Sequence, residues 1–204
     1  PSIPSEDYRL VWWAITNFSN YRTLISTILP PNVFLGHSIN FLKPFIFDGK
    51  KYKKPLSYEE TIFLCGMFNS FVIDFIVRHR ILTNLTLPFI KELPIPRFDK
   101  DNNLHQKIFK NSAMLICTTD EYTKLREEVD ESEYVTDVDE RVTLIAQINA
   151  CAAKIYDLNY EELEYVLKNF KLVAITENKI INKKVLGLKP QLNSEFAFKK
   201  ANLI

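Results

Sequence analysis

Glycine is scarce in this chain of 204 residues: four occur, at Gly36, Gly49, Gly66 and Gly187, and no two lie closer than thirteen positions apart. Phosphate-cradling loops need clustered glycines so that backbone N–H groups can close on the ligand. That spacing excludes the dinucleotide fingerprint and the P-loop. Cysteine is equally sparse, and the three residues at 65, 117 and 151 form no CxxC pair. An odd count at wide spacing argues against a disulfide framework and a zinc site, and a reduced, cytoplasmic setting is expected. The histidines, His37, His79 and His105, are scattered too. Long hydrophobic runs are missing as well. The most apolar stretch, 62–77, contains Asn69 and Asp74; it is too short and too polar to cross about 30 Å of hydrocarbon and reads as a buried helix, so no membrane partner is expected. The opening PSIPSEDYRL has neither a charged n-region nor an apolar h-region. The expectation is therefore no signal peptide, in a piece of something longer.

What remains is ample for a core. With 47% hydrophobic and 25% charged residues, the chain can build one well-cored domain or two small ones, and it is neither disordered nor fibrous. The net charge of +1 conceals segregation: residues 1–56 carry +4, 57–118 carry +1, 119–170 carry −9 and 171–204 carry +5. A polyanion is drawn to the ends and repelled by the acidic stretch, so a nucleic-acid face must exclude 119–170.

Along the chain, 8–16 (YRLVWWAIT) and 22–29 (RTLISTIL) are rich in β-branched and aromatic residues around a polar turn at 17–21, and they read as two strands. A third run, 33–35, leads to a loop holding Lys50, Lys51, Lys53 and Lys54. Ser57 precedes Glu60 by three residues, the spacing of a capping box, and an apolar helix pattern follows through Ile76. Residues 83–98 carry three prolines and read as an edge strand or an extended crossing segment. Helical period then takes over, with Leu104, Ile108, Ala113 and Leu115 on one helix and 122–129 on a second. An acidic loop covers 130–139. Val142, Ile145, Ile148, Ala152 and Ile155 line one face of a long helix, and Leu163, Val166, Leu167 and Phe170 a last one. The expected fold class is α+β: a small, mostly antiparallel sheet with a packed helix, then a C-terminal helical subdomain. The expected divisions are 1–100, 101–170 and a basic extension over 171–204.

Four stretches, in this order, resemble a known family. Residues 20–30, NYRTLISTILP, resemble an N-x-R-T-L-I-x-x-I-L-P signature; 64–70, LCGMFNS, followed by Asp74 and Arg78, resemble an LxGxxNS helix. Leu93-Pro94-Ile95-Pro96 resembles an LPIP segment, and 141–170 resembles the helical terminus R-x-x-L-x-A-x-I-(D/N)-A-x-V-A-x-L-Y-x-L-x-x-E-E-L-x-Y-I-L-x-x-F. Together they are similar to the specificity region of Type IIG-like restriction–modification enzymes and related adenine-specific DNA methyltransferases. The resemblance covers about residues 8–170. It departs at Tyr21, where Glu is common, at Asn149, where Asp is common, and at Cys151, where Leu or Val is usual.

The resemblance implies a target-recognition domain, with double-stranded DNA and the methyltransferase domain of the same parent chain as partners. No N-P-P-(F/Y) tetrapeptide and no glycine-rich cofactor loop is present. The fragment is therefore not expected to be an enzyme or to hold a cofactor. S-adenosylmethionine belongs to the parent, a site-specific adenine methyltransferase with or without an endonuclease. The other reading is a protein-interaction or scaffold domain of a defence system.

Reading DNA calls for exposed Arg, Asn, Gln and Lys. Candidates are Asn17, Asn20, His37 and Asn40, the cluster Lys50, Lys51, Lys53 and Lys54 as phosphate contacts, and Arg78, His79, Arg80 and Asn84 near the end of the first helix. Arg22 lies within a motif shared by proteins that read different sequences, so it is expected to be a structural ion pair. Asn69 and Ser70 are expected to satisfy backbone groups. Trp12 and Trp13 are expected on opposite faces of a strand. Glu177-Asn178-Lys179 has the E-x-K shape of a nuclease strand but no upstream Pro-Asp partner. Asp99 and Asp101 read as turn residues, and Cys65 and Cys151 as small core residues.

Overall fold

Antiparallel pairing organises the first half of the chain. In the computed structural model, which describes residues 3–170 apart from 19 and 82, β1 (Arg9–Trp13) lies between β2 (Ser26–Leu29) and β3 (Ile39–Phe41). The register sets Leu10 opposite Ile28, and Trp12 opposite both Ser26 and Asn40. Alternation then sends Leu10, Trp12 and Ile28 to the inner face, where each is buried, and leaves Trp13 54% exposed on the other. The third strand is not the expected run at 33–35. It falls at Ile39–Phe41, because Ala14 N–H donates to the Ser38 carbonyl and Leu42 N–H to the Leu10 carbonyl, holding that later segment against β1. The expected lysine loop is a hairpin, β4 (Ile46–Phe47) and β5 (Tyr52–Lys53). At its tip the Asp48 carboxylate accepts from the Lys50 and Lys51 N–H groups and Gly49 takes φ +95°, a turn that favours glycine.

The capping box forms as the spacing predicts: Ser57 Oγ accepts from Glu60 N–H at 3.1 Å, and Glu60 Oε2 accepts from Ser57 N–H at 2.7 Å. It starts α1 (Tyr58–Phe68), whose flank Trp12 meets edge-on at Phe68. The single buried helix expected over 62–77 is two helices. α2 (Phe71–Arg80) leaves α1 at 65°, because the Asn69 amide turns back to the Cys65 carbonyl and across to Ser26, while Ser70 Oγ caps Ile73 N–H. Among the described residues no single helix is long and apolar enough to cross a membrane.

Over 83–98 no edge strand forms: a single bridge, a short helix and an extended segment follow one another. Asn84 bridges to Ile15, Pro88 sits in the first turn of the short α3 (Leu87–Lys91), where a missing N–H costs nothing, and 94–98 has no regular element. Then come α4 (Asn103–Ile116), α5 (Thr123–Glu128), α6 (Val138–Ile155) and α7 (Tyr160–Lys168). Their caps, Asn102, Asp137 and Asn159, accept from first-turn N–H groups of α4, α6 and α7. The fold is α+β, as expected. Its two halves share one continuous core running from Tyr8 and Trp12 through α1, α4 and α6 to Phe170. The basic extension and the E-x-K segment lie outside the described residues.

At Gly66 α1 lies directly against α4. A Cβ there would stand 2.1 Å from Ser112 Oγ and 2.9 Å from Ile108 Cγ2. Gly66→Ala gains about 1 kcal/mol of helix propensity but forces overpacking that costs about 1–3 kcal/mol, so denaturant unfolding should show a net loss of stability. Adding Ser112→Ala, which removes the nearer atom, should recover part of it.

Candidate nucleic-acid interface

The surface loops hang on a buried ion pair. Asp74, in the first turn of α2, has no solvent exposure. Its Oδ1 accepts from Thr23 N–H and Leu24 N–H at 3.0 Å each, and its Oδ2 takes Arg22 Nε at 2.6 Å. Arg22 also donates to the Asn69 carbonyl at 2.7 Å and lies 4.2 Å over the Phe71 ring. It is the structural ion pair that its position in the motif suggests. Asn149 Oδ1 accepts Phe71 N–H at 2.7 Å, and its Nδ2 donates to the Ile145 carbonyl at 2.9 Å.

Arg78 needs correcting as a DNA reader. Its guanidinium donates to Thr23 Oγ1 and to the carbonyls of Asn20, Tyr21 and Asn169, and stacks 4.2 Å over Phe170. Burial depresses its pKa, yet the neighbouring Asp74 carboxylate favours its charge. With these donors engaged, Arg78 braces the 20–23 turn rather than reaching outward.

The remaining candidates form two groups at opposite ends of β1. At its C-terminal end, Thr16 N–H donates to the Thr83 carbonyl, Leu85 N–H to the Ala14 carbonyl and Ala14 N–H to the Ser38 carbonyl. Those bonds gather Asn17, Asn20, His37 and Asn84, all exposed. Asn40 lies on the inner face of the sheet, where its amide and the Trp12 indole both donate to the Leu85 carbonyl at 2.9 and 2.8 Å; it holds the 83–85 segment in place and is corrected from reader to scaffold. Arg80 is exposed but paired with Glu92 at 3.1 Å, and His79 Nδ1 contacts the Phe75 carbonyl.

The lysines stand at the other end, where β1 begins. Lys53 pairs with Asp48, and Lys54 with Asp7 at 2.9 Å. Lys50 and Lys51 project from the hairpin tip, exposed and without an ion-pair partner among the described residues. The sequence reading missed the aromatics beside both groups. Phe34 is 87% exposed, Phe18 63%, and Phe47 and Tyr52 flank the lysine tip. Of these, Phe18 carried a signal, a large hydrophobic residue inside the polar turn at 17–21.

The three thiols belong to the core. Cys65, Cys117 and Cys151 are buried, and desolvation raises their pKa values, to about 12 for Cys65 and about 11 for the others. Among the described residues no group of three His, Cys, Asp or Glu could hold a metal ion.

No family model matches the chain, and no solved structure matches it. A stretch of 37 residues is 57% identical to part of the 4-hydroxy-tetrahydrodipicolinate reductase of Pelagibacter ubique (strain HTCC1062). That match spans 18% of this chain and 14% of that protein, so it shows neither a shared family nor a shared activity.

Asp74→Ala removes the acceptor of Arg22 Nε and of the buried Thr23 and Leu24 amides, leaving Arg22 only the Asn69 carbonyl. We expect a loss of about 3–5 kcal/mol in chemical denaturation. In the folded chain a thiol reagent at neutral pH should label none of the three cysteines faster than the protein opens, as followed by mass spectrometry against hydrogen exchange.

Proposed function

We infer that this chain is the DNA target-recognition module of a restriction–modification methyltransferase, holding a site so that a catalytic domain on the same parent can reach the target adenine. One observation carries the inference: the four stretches that bear the family resemblance bond to one another. Arg22 and the Thr23 and Leu24 amides meet Asp74; Asn69 meets Ser26; Asn149 receives Phe71 N–H; and Tyr156 OH donates to the Pro94 carbonyl at 2.9 Å. Phe170, from the last stretch, packs edge-on against Phe71 with ring centres 4.6 Å apart. Segments kept together by such bonds form one scaffold, which leaves the loops it carries to meet a partner.

Those loops then divide the work. The polar side chains of Asn17, Asn20, His37 and Asn84 are of the kind that reads base edges, and Lys50 and Lys51 of the kind that neutralises phosphates. The acidic side chains of 119–170 face away from any such role on charge alone. By the same resemblance, S-adenosylmethionine and methyl transfer are assigned to the catalytic domain of the parent chain.

Anisotropy titrations of the chain with duplex DNA across a salt series test this. Lys50→Ala combined with Lys51→Ala should weaken binding on every sequence and reduce the magnitude of the salt slope by about 2, roughly one unit per lost phosphate contact. Absence of binding at low salt by the folded chain would instead favour a protein-interaction scaffold.

A further inference from the structure

The lysine hairpin carries a feature that phosphate contacts alone do not use. Its foot is fixed: Phe45 is buried, and Lys54 pairs with the buried Asp7 at 2.9 Å while resting 3.6 Å over the Tyr58 ring. A cavity of about 520 Å³ lies beside Asp7, but that carboxylate is already met by Tyr8 N–H, the Tyr58 hydroxyl and Lys54, so its polar groups answer one another. The open chemistry is farther out. Phe47 and Tyr52 stand directly opposite each other on β4 and β5, with ring centres 5.3 Å apart and planes tilted by 49°. They are 59% and 53% exposed, and neither packs against the core. At the tip, Lys50 and Lys51 are exposed and have no ion-pair partner among the described residues, whereas Asp48 is engaged by their N–H groups and by the Lys53 ammonium.

A cross-strand aromatic pair steadies a short hairpin, yet here it leaves flat apolar surface in water beside two ammonium groups. That combination matches a ligand that is flat on its faces and anionic next to them. A nucleobase with its phosphate is such a ligand. In an intact duplex the faces of the bases are hidden by stacking, and only edges and phosphates are offered. The rings therefore fit a base that has left the stack. A bilayer fits less well, since rings that entered it would carry the Asp48 carboxylate of the neighbouring position with them. We propose that the hairpin takes an unpaired base of a DNA strand, stacked on Phe47 or Tyr52, with Lys50 and Lys51 on the flanking phosphates. This rests on the DNA-binding reading above and deepens it: the lysines serve any DNA, and the rings add a preference for DNA in which a base is unstacked.

The test is anisotropy on the full chain with a perfect duplex, the same duplex carrying a one-base bulge, and a single strand, together with proton NMR of the Phe47 and Tyr52 rings. The bulged duplex should bind about tenfold more tightly than the perfect one, a gain within the range of one base stacked on an aromatic ring. On its addition the ring protons of Phe47 or Tyr52 should move upfield, as stacking under a base requires. Phe47→Ile combined with Tyr52→Val keeps residues that favour strands but removes both flat faces. It should abolish the preference for the bulge and leave the salt slope on the perfect duplex as in the unaltered chain, because Lys50 and Lys51 remain. Phe47→Trp, with a larger face, should increase the preference, a result that does not depend on how well the hairpin tolerates losing its rings. Equal binding of perfect and bulged duplexes, or ring signals that stay in place while DNA binds, would overturn the proposal and leave the DNA-binding reading intact. Binding of the bulged duplex and single strand alone would support the hairpin and remove duplex recognition. Binding of none of the three would overturn both, and binding of phosphatidylserine vesicles in that case would give the rings to a membrane surface.

Discussion

The carboxylate of Asp74 is sealed from water and met by Arg22 and by the amides of Thr23 and Leu24. A buried charge is tolerated only when its partners are held in place, and here holding them in place builds the molecule. The pair fixes the entry to β2 against the start of α2. Arg22 in turn ties down the Asn69 carbonyl at the end of α1, and its guanidinium plane seats Phe71. Arg78, one helical turn beyond Asp74, grips the same loop from its other side. Sheet, bent helix pair and Phe170 at the end of the described chain thus converge on two guanidinium groups and one carboxylate.

The short run from Gly66 to Ser70 shows how few residues set the remaining geometry. Gly66 allows α4 to approach α1, Asn69 diverts its amide to Ser26 and ends α1, and Ser70 begins α2 at a new angle. With a side chain at 66 the helices would separate, and without the bend α2 would carry Asp74 away from Arg22. Packing and electrostatics are therefore linked through the backbone rather than through direct contact.

Surface chemistry is arranged around this frame in two places. Polar loops meet where β1 ends, and the cationic hairpin stands where it begins, with the Asp7 cavity beneath it. Five residues of β-strand, about 17 Å, separate the two. The strand itself presents Trp13 outward between them.

Much of this was legible in the residues alone. The capping box at Ser57 and Glu60 placed the start of α1, and helical period placed α4 to α7, since those signals are local and each is satisfied within a turn or two. The roles of Arg22, Asn69, Ser70, Trp12 and Trp13 also followed, from motif position and strand alternation. What sequence could not decide was which long-range partner a polar group would find. Arg78 and Asn40 have the composition of DNA readers, yet the carbonyls of Asn20, Tyr21 and Leu85 claim them. The helix break at Asn69 and the strand at Ile39–Phe41 depend on bonds to Ser26, Leu10 and Ala14, far away in the chain. The cavity beside Asp7 has no sequence signature at all, because Asp7, Lys54, Tyr58 and Leu87 become neighbours only when the chain closes. Local hydrogen bonds and periodicity are written along the sequence; the satisfaction of buried polar groups is a property of the assembled core.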